Sequence, residues 1–237
     1  MIIMGFSPFK NFTFARLNFL TMLKAKGIHK SYGSLHVLKG VDLEIKPSEI
    51  VSIVGSSGAG KSTLLHILGT LDHADKGIVE MEGQQISEMR GEKLATFRNQ
   101  QIGFIFQFHN LLPEFTALEN IQIPAYIQGE SQISSQRRAH QLAEMLGITG
   151  RLDHKPAELS GGEQQRVAVA RALINQPKVV FADEPSGNLD STNAKLLHEL
   201  FFALREELGH AFVIVTHNEE LAEMADRKVM MQDGLIL

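Results

Sequence analysis

Short apolar runs alternate with longer amphipathic ones along this chain, and their spacing sets out most of its elements. Residues 23–27 and 35–38 read as β-like. They are followed by the alternation Val41, Leu43, Ile45, which stops at Lys46-Pro47. Residues 50–54 form an uninterrupted apolar run, followed by a glycine-rich octet and a helix-forming stretch over 63–69. The pattern next predicts a strand over 77–82 with a turn at Gly83, a short helix over 92–99, and an apolar strand over 102–106 that ends at Gln107. Residues 108–158 change character. Asn110-Leu111-Leu112-Pro113 leads to a predicted helix over 117–127, and a second over 134–146 carries Ala139, Leu142, Ala143 and Leu146 on one face. This is a helical insertion between strands, and Gly147, Gly150 and Pro156 mark its exit. A helix then opens after Ser160 and runs through Ala172. Residues 178–182 are almost wholly apolar, as in a parallel strand covered on both faces. A helix over 191–208, a strand over 211–215, a helix over 219–224 and an edge strand over 228–231 close the pattern, with no internal repeat, low-complexity tract or linker. One α/β domain with two lobes is expected.

Composition narrows the classes of function. At 237 residues, 43% hydrophobic and 21% charged, the chain can bury a sizeable core. Its net charge is −4 and it has no long basic run, so nucleic acid is not the expected partner. The absence of cysteine removes disulfides, thiolate metal sites and cysteine nucleophiles together, and is compatible with a reducing cytosol. No apolar stretch approaches the roughly 18 residues of a membrane span, so any membrane role needs spans from other chains. Residues 1–21 are rich in Phe (Phe6, Phe9, Phe12, Phe14, Phe19), but Lys10, Asn11, Thr13, Arg16 and Asn18 interrupt the apolar run that an export signal needs. Two readings of this extension stay open: an amphipathic surface helix, or a disordered or upstream-start segment with the working protein beginning at Met22.

The chemistry centres on Gly55-Ser56-Ser57-Gly58-Ala59-Gly60-Lys61-Ser62, which matches G-x-x-x-x-G-K-[ST] between a strand and a helix. Such a P-loop curls backbone N–H groups around phosphate oxygens. The helix N-terminus adds positive potential, Lys61 a mobile charge for the β- and γ-phosphates, and Ser62 a hydroxyl for Mg²⁺. Tyr32, shortly before the loop, is either a base-stacking ring or a strand-end aromatic. The apolar run at 178–182 delivers Asp183-Glu184 to the end of a parallel strand, where open α/β sheets bind ligands. Two carboxylates there can simply cap a helix. Beside a P-loop they suit holding Mg²⁺ (Asp183) and polarising the attacking water (Glu184). His217, at the end of the strand over 211–215, would be brought to the same rim. Leu159-Ser160-Gly161-Gly162-Glu163-Gln164 contains a capping box, Ser160 with Glu163, which leaves unexplained two glycines in a first helical turn. Those glycines predict another surface approaching the backbone closely.

Tyr32, the P-loop, Gln107, the Leu159–Gln164 hexapeptide, the strand to Glu184, Asn188-Leu189-Asp190 and His217, in that order, resemble the nucleotide-binding domain of ABC transporters from residue 23 onward. The resemblance implies a P-loop NTPase of ABC type: a mostly parallel sheet core, an antiparallel β lobe and a helical subdomain over about 108–158. It implies ATP and Mg²⁺ as ligands. Tyr32, Gly55, Ser56, Ser57, Gly58, Ala59, Gly60, Lys61, Ser62 and Thr63 would face nucleotide in one protomer of a head-to-tail homodimer, with Ser160, Gly161, Gly162, Glu163 and Asp190 contributed across the interface. Ser62, Gln107 and Asp183 would hold the metal, and Glu184, His217, Gln107 and Lys61 would serve hydrolysis. The helical lobe would be mobile, with Gln107 at its hinge.

Within the family, Phe106-Gln107-Phe108-His109-Asn110-Leu111-Leu112-Pro113-Glu114-Phe115 is similar to the stretch found in lipoprotein-releasing ATPases. Leu68-Gly69-Thr70-Leu71-Asp72 and the segment from Asp183 to Asp190 are shared with a wider group that includes macrolide-exporter ATPases and the cell-division ATPase FtsE. What this implies is a peripheral ATPase on the cytoplasmic face of the inner membrane. It would be docked on LolC/LolE-like permease subunits, reach lipoprotein cargo only indirectly, and bind no nucleic acid. Phe108, Leu111, Leu112 and Phe115 would line the docking groove or form core of the lobe. An FtsE-like or macrolide-exporter-like role with another membrane partner is the alternative. Residues 1–21 have no counterpart in the family pattern, and no C-terminal regulatory domain is expected.

Overall fold

The computed structural model describes residues 21–237, so the expectation for the N-terminal extension lies, apart from Thr21, outside the described residues. In chain order the strands and helices are β1 (Leu23–Tyr32), β2 (Leu35–Ile45), β3 (Ile50–Val54), α1 (Lys61–Leu68), β4 (Lys76–Met81), β5 (Gln84–Gln85), α2 (Gly91–Gln101) and β6 (Ile102–Phe106). They continue with α3 (Ala117–Gln128), α4 (Gln132–Met145), α5 (Gly161–Leu173), β7 (Val179–Asp183), α6 (Ser191–Leu208), β8 (Ala211–Val215), α7 (Glu219–Met224), β9 (Arg227–Gln232) and β10 (Leu235–Ile236). The helices begin and end within two residues of the sequence expectation.

Among the described residues the strands form an antiparallel sheet of order β2-β1-β4-β5 and a second sheet of order β10-β9-β3-β8-β7-β6. The second is parallel from β9 through β6. Its apolar strands feed two cores from alternate residues. Val51, Ile53, Val179, Phe181, Val213 and Val215 face α1 and the β lobe. Ile50, Val180, Ala182, Phe212 and Ile214 face α5, α6 and the helical insertion. The C-terminal ends of β3, β7 and β8 thus meet one rim between the two cores, which is where the P-loop, Asp183 and His217 lie.

Two expectations are corrected here. Residues 35–38 and 41–45 are one strand, because Gly40 sits in β2 as an extra residue opposite the Ile28 to His29 step of β1. Its φ of 101° is open to glycine, and the His29 imidazole occupies the space beside it. Residues 228–231 are not an edge strand. β9 lies between β3 and the two-residue β10, which the sequence reading missed.

The insertion leaves the sheet after β6 and returns through α5. Thr116 caps α3 with a capping box to Glu119, and Ser131 caps α4 by accepting from the Ser134 N–H. Two short 3₁₀ turns, Thr149–Arg151 and Pro156–Glu158, lead to α5.

Candidate nucleotide-binding and hydrolysis site

Each P-loop glycine answers a different local demand. A Cβ on Gly55 would overlap the Met231 carbonyl of β9, and one on Gly60 would lie 2.8 Å from Leu38 Cδ2 in β2. Gly60 also takes φ 99° to open α1, and Gly58 has open space beside it but takes φ 78°. The N-terminus of α1 has no side-chain cap and no acidic residue in its first turn, so its amide donors are left for an anion. Lys61 is almost fully buried, and its Nζ donates to the carbonyls of Gly55 and Ser56 at 3.0 Å each. The ammonium is therefore stored inside the loop it serves.

One residue along α1, Ser62 Oγ donates to Asp183 Oδ1 at 3.0 Å. This pairing fits a hard cation such as Mg²⁺: a hydroxyl and a carboxylate converge, both oxygen donors. His66, one turn further on α1, places Nε2 3.9 Å from Asp183 Oδ2. The sequence reading missed His66, although its i+4 spacing from Ser62 puts both on one helix face.

Glu184 continues the β7–β8 pairing by one bond, its N–H donating to the Val215 carbonyl at 2.9 Å, and then turns sharply with φ 47°. Its Oε2 accepts from the His217 backbone N–H at 3.1 Å, and Oε1 lies 3.2 Å from His217 Nε2 but has no hydrogen-bond partner. The rim therefore brings His217 onto Glu184. Gln107, directly after β6, is bonded twice to the Asn188 side chain: its Nε2 donates to Asn188 Oδ1 at 3.1 Å, and its backbone carbonyl accepts from Asn188 Nδ2 at 3.0 Å. Its side chain thus lies on the loop that follows Glu184.

Tyr32, at the end of β1, is 50% exposed, and its hydroxyl donates to Asp72 Oδ2 at 2.6 Å. Hydrogen bonds from Lys30, from Tyr32 and from the His73 N–H outweigh desolvation and hold Asp72 down to about 2.

At the start of α5 the capping box is present. Glu163 Oε2 accepts from the Ser160 N–H and Oγ, both at 2.8 Å, and Ser160 Oγ accepts from the Glu163 N–H. Glu163 also accepts from Arg151 Nε at 2.6 Å. That ion pair, ahead of the Ser160 bonds, lowers its carboxyl to about 2. The two glycines of this turn differ. A Cβ on Gly162 would sit 2.7 Å from Asn193 Oδ1 of α6, so the surface against it is internal. Gly161 faces open space, with Leu189 Cδ2 at 3.8 Å as its nearest neighbour. Asp190, expected in the loop across the interface, caps α6 by accepting from the Asn193 N–H at 2.9 Å and Nδ2 at 2.7 Å. Among the described residues, no hydrogen bond of Ser160 or Glu163 reaches the P-loop.

In the segment after Gln107 the choice between groove and core divides by residue. Leu111 packs against the core beneath the helical insertion, whereas Phe108 is 74% exposed and Leu112 and Phe115 are also exposed.

Residues 38–187 match the family model for the ABC transporter. The chain belongs to the ABC transporter family. Among curated ABC proteins it is 61% identical to the lipoprotein-releasing system ATP-binding protein LolD of Bacteroides thetaiotaomicron, over 91% of this chain and 99% of that protein. It is 60% identical to LolD of Cytophaga hutchinsonii, again over 91% of this chain and 99% of the relative. The solved ATP-binding cassette MJ0796, a dimer in a post-hydrolysis state bound to ADP and Pi, superposes with a TM-score of 0.84 at 39% identity, covering 91% of this chain and 96% of that one. These matches make the chain an ATPase of ABC type. Its β lobe, parallel core and helical insertion are the ABC form of the P-loop fold.

Proposed function

We propose that this chain is the ATP-hydrolysing subunit of a lipoprotein-releasing ABC transporter, docked peripherally on the cytoplasmic face of the inner membrane against LolC/LolE-like permease subunits. The observation that carries the reading is identity of about three residues in five across nearly the whole length of LolD relatives. It favours lipoprotein release over an FtsE-like or exporter-like role. The exposed Phe108, Leu112 and Phe115 supply an apolar surface for the permease. No helix among the described residues is long and apolar enough to cross a membrane, so spans would come from those partners.

In this reading the phosphates of ATP enter the P-loop at the free N-terminus of α1, and Lys61 exchanges its two loop carbonyls for phosphate oxygens. Gly55, Ser56, Ser57, Gly58, Ala59, Gly60, Ser62 and Thr63 line that cradle, and Tyr32 stacks on the adenine. Ser62 and Asp183, with Gln107, would hold Mg²⁺, which when bound neutralises charge on the β- and γ-phosphate oxygens. Glu184 takes the proton of the attacking water as general base, while His217 fixes that carboxylate and contacts the γ-phosphate. Across a head-to-tail homodimer, Ser160 and the open backbone at Gly161 face the partner's nucleotide, with Gly162, Glu163 and Asp190 supporting that edge. ATP adds contacts that exist only in the closed dimer and hydrolysis removes them, so the cycle opens and closes what is docked on the helical lobe.

The reading is tested by gentle-detergent isolation of the Glu184→Gln protein with ATP, followed by mass spectrometry of co-purified membrane proteins. LolC/LolE-like permeases with bound lipoprotein are the expected result. Recovery of cell-division proteins or ribosomes instead overturns the transport assignment.

A further inference from the structure

The segment Leu68-Gly69-Thr70-Leu71-Asp72 meets the site only through Asp72, a carboxylate that accepts three hydrogen bonds beside Tyr32. Asp72 Oδ2 accepts the Tyr32 hydroxyl at 2.6 Å, and Oδ1 accepts from Lys30 Nζ at 2.8 Å and from the His73 N–H at 2.6 Å. Lys30 Nζ donates a second bond to the His73 carbonyl at 2.7 Å and lies over the Tyr32 ring, 5.0 Å from its centroid. Lys30 is almost fully buried and tightly held, so a fixed cation lies over a ring that is 50% exposed.

The segment is itself fixed to the P-loop helix. The N–H groups of Leu71 and Asp72 both donate to the His66 carbonyl in α1, at 2.8 and 3.2 Å, and Arg98 Nε donates to Thr70 Oγ1 at 3.1 Å. Beyond it, the Asp75 N–H donates to the His29 carbonyl and Asp75 Oδ2 accepts from the Ser31 N–H, closing the connection back to β1. The N-terminus of α1 faces the phosphate site, while its C-terminal extension grips the phenol of Tyr32.

We propose that Asp72 and Lys30 are positioning residues for nucleotide base recognition: they preset the Tyr32 ring from the C-terminal end of the P-loop helix, at a fixed offset from the phosphate cradle. The inference rests on the reading of Tyr32 as the adenine-stacking ring. A preset aromatic loses little freedom on binding and so favours affinity.

The test compares equilibrium binding of ATP with binding of inorganic tripolyphosphate, which keeps the phosphates and lacks the base. Tyr32→Ala weakens ATP about tenfold and leaves tripolyphosphate within about twofold, in line with base–aromatic stacking. Asp72→Ala and Lys30→Met each weaken ATP about fivefold, again sparing tripolyphosphate, as the loss of one or two hydrogen bonds that orient the ring predicts. Asp72→Asn keeps an acceptor for the Tyr32 hydroxyl and recovers most of the ATP affinity, which a merely structural role for the charge does not explain. Equal weakening of both ligands by Asp72→Ala and Lys30→Met overturns the proposal, since the damage is then to the P-loop helix. A Tyr32→Ala effect on ATP with none from Asp72→Ala or Lys30→Met also overturns it. No ATP effect from Tyr32→Ala overturns the stacking reading and the proposal with it. If Asp72→Ala fails to fold, Lys30→Met and Asp72→Asn decide alone.

Discussion

Glu184 holds a left-handed backbone conformation, φ 47°, that costs a non-glycine residue on the order of 1 kcal/mol. The structure offsets that cost with bonds to Val215 and His217, and the turn aims the carboxylate along the rim. Replacing His217 with Ala removes the imidazole beside Oε1 but leaves the backbone donor. Turnover is expected to fall about a hundredfold, the scale of a mispositioned general base. ATP binding should change little. Steady-state ATPase and nucleotide-binding measurements separate the two, and unchanged turnover removes His217 from the hydrolytic machinery. That Glu184 and His217 share a rim was legible from the strand pattern, because parallel strands deliver their C-terminal residues to one edge. That they touch was not, since contact depends on the turn at residue 184. The Gln107–Asn188 contact and the Asn193 amide against Gly162 escaped for the same reason: the first is set by two loops meeting in space and the second by the first turns of α5 and α6 meeting, and neither leaves a period in the sequence.

At the scale of elements, α5 joins two surfaces. Its first turn presents Ser160 and Gly161. Toward its other end, Arg171 Nη1 and Nη2 donate to the carbonyls of Asn110 and His109 at 2.7 and 2.6 Å. Gln165 in between contacts the His109 ring. His109 and Asn110 are consecutive left-handed residues, φ 56° and 49°, directly after the exposed Phe108, so this helix holds the shape of the apolar segment. Burial pushes the Arg171 guanidinium down from its ordinary value, which is tolerable only while those carbonyls pair with it. Arg171→Met is expected to lower stability by roughly 2 kcal/mol and to raise amide hydrogen exchange selectively over residues 108–112. A uniform rise across the chain counts against the clamp. The helices were legible nearly to their ends because their apolar faces and caps repeat over many residues. β10 was not, because a two-residue strand has no periodicity, and Gly40 masqueraded as a break because a bulge interrupts the alternation that identifies a strand.

The whole molecule carries a pH limit and a question of assembly. His210 is buried just before β8, and desolvation lowers it to about 4, so the fold holds it neutral. Its unfolded value is near 6.5, so the unfolded chain binds more protons between those two values and stability rises with pH there. The contribution is therefore complete above about 6.5 and is lost as pH falls toward 4, up to ~3 kcal/mol in all. Urea unfolding at pH 7 and pH 5 should show a larger loss in the parent protein than in His210→Gln, which keeps the part due to His109 and His198, also lowered by burial. Assembly concerns whether a second chain completes each site. Ser160 and Glu163 are bonded to each other and to Arg151, none of their bonds reaches the P-loop, and Gly161 is bare. A solved relative of the same fold is a dimer with ADP and Pi. If each site is built from two chains, Ser160→Arg and Lys61→Ala proteins are each inactive alone, for different halves. Mixed as subunits, they form dimers with one site made wholly from intact parts. Random pairing then restores up to about a quarter of parental turnover, provided one site can act alone. If instead each chain holds a complete site, mixing restores nothing, because every site carries one of the two lesions. ATPase activity before and after denaturant-free subunit exchange distinguishes these outcomes.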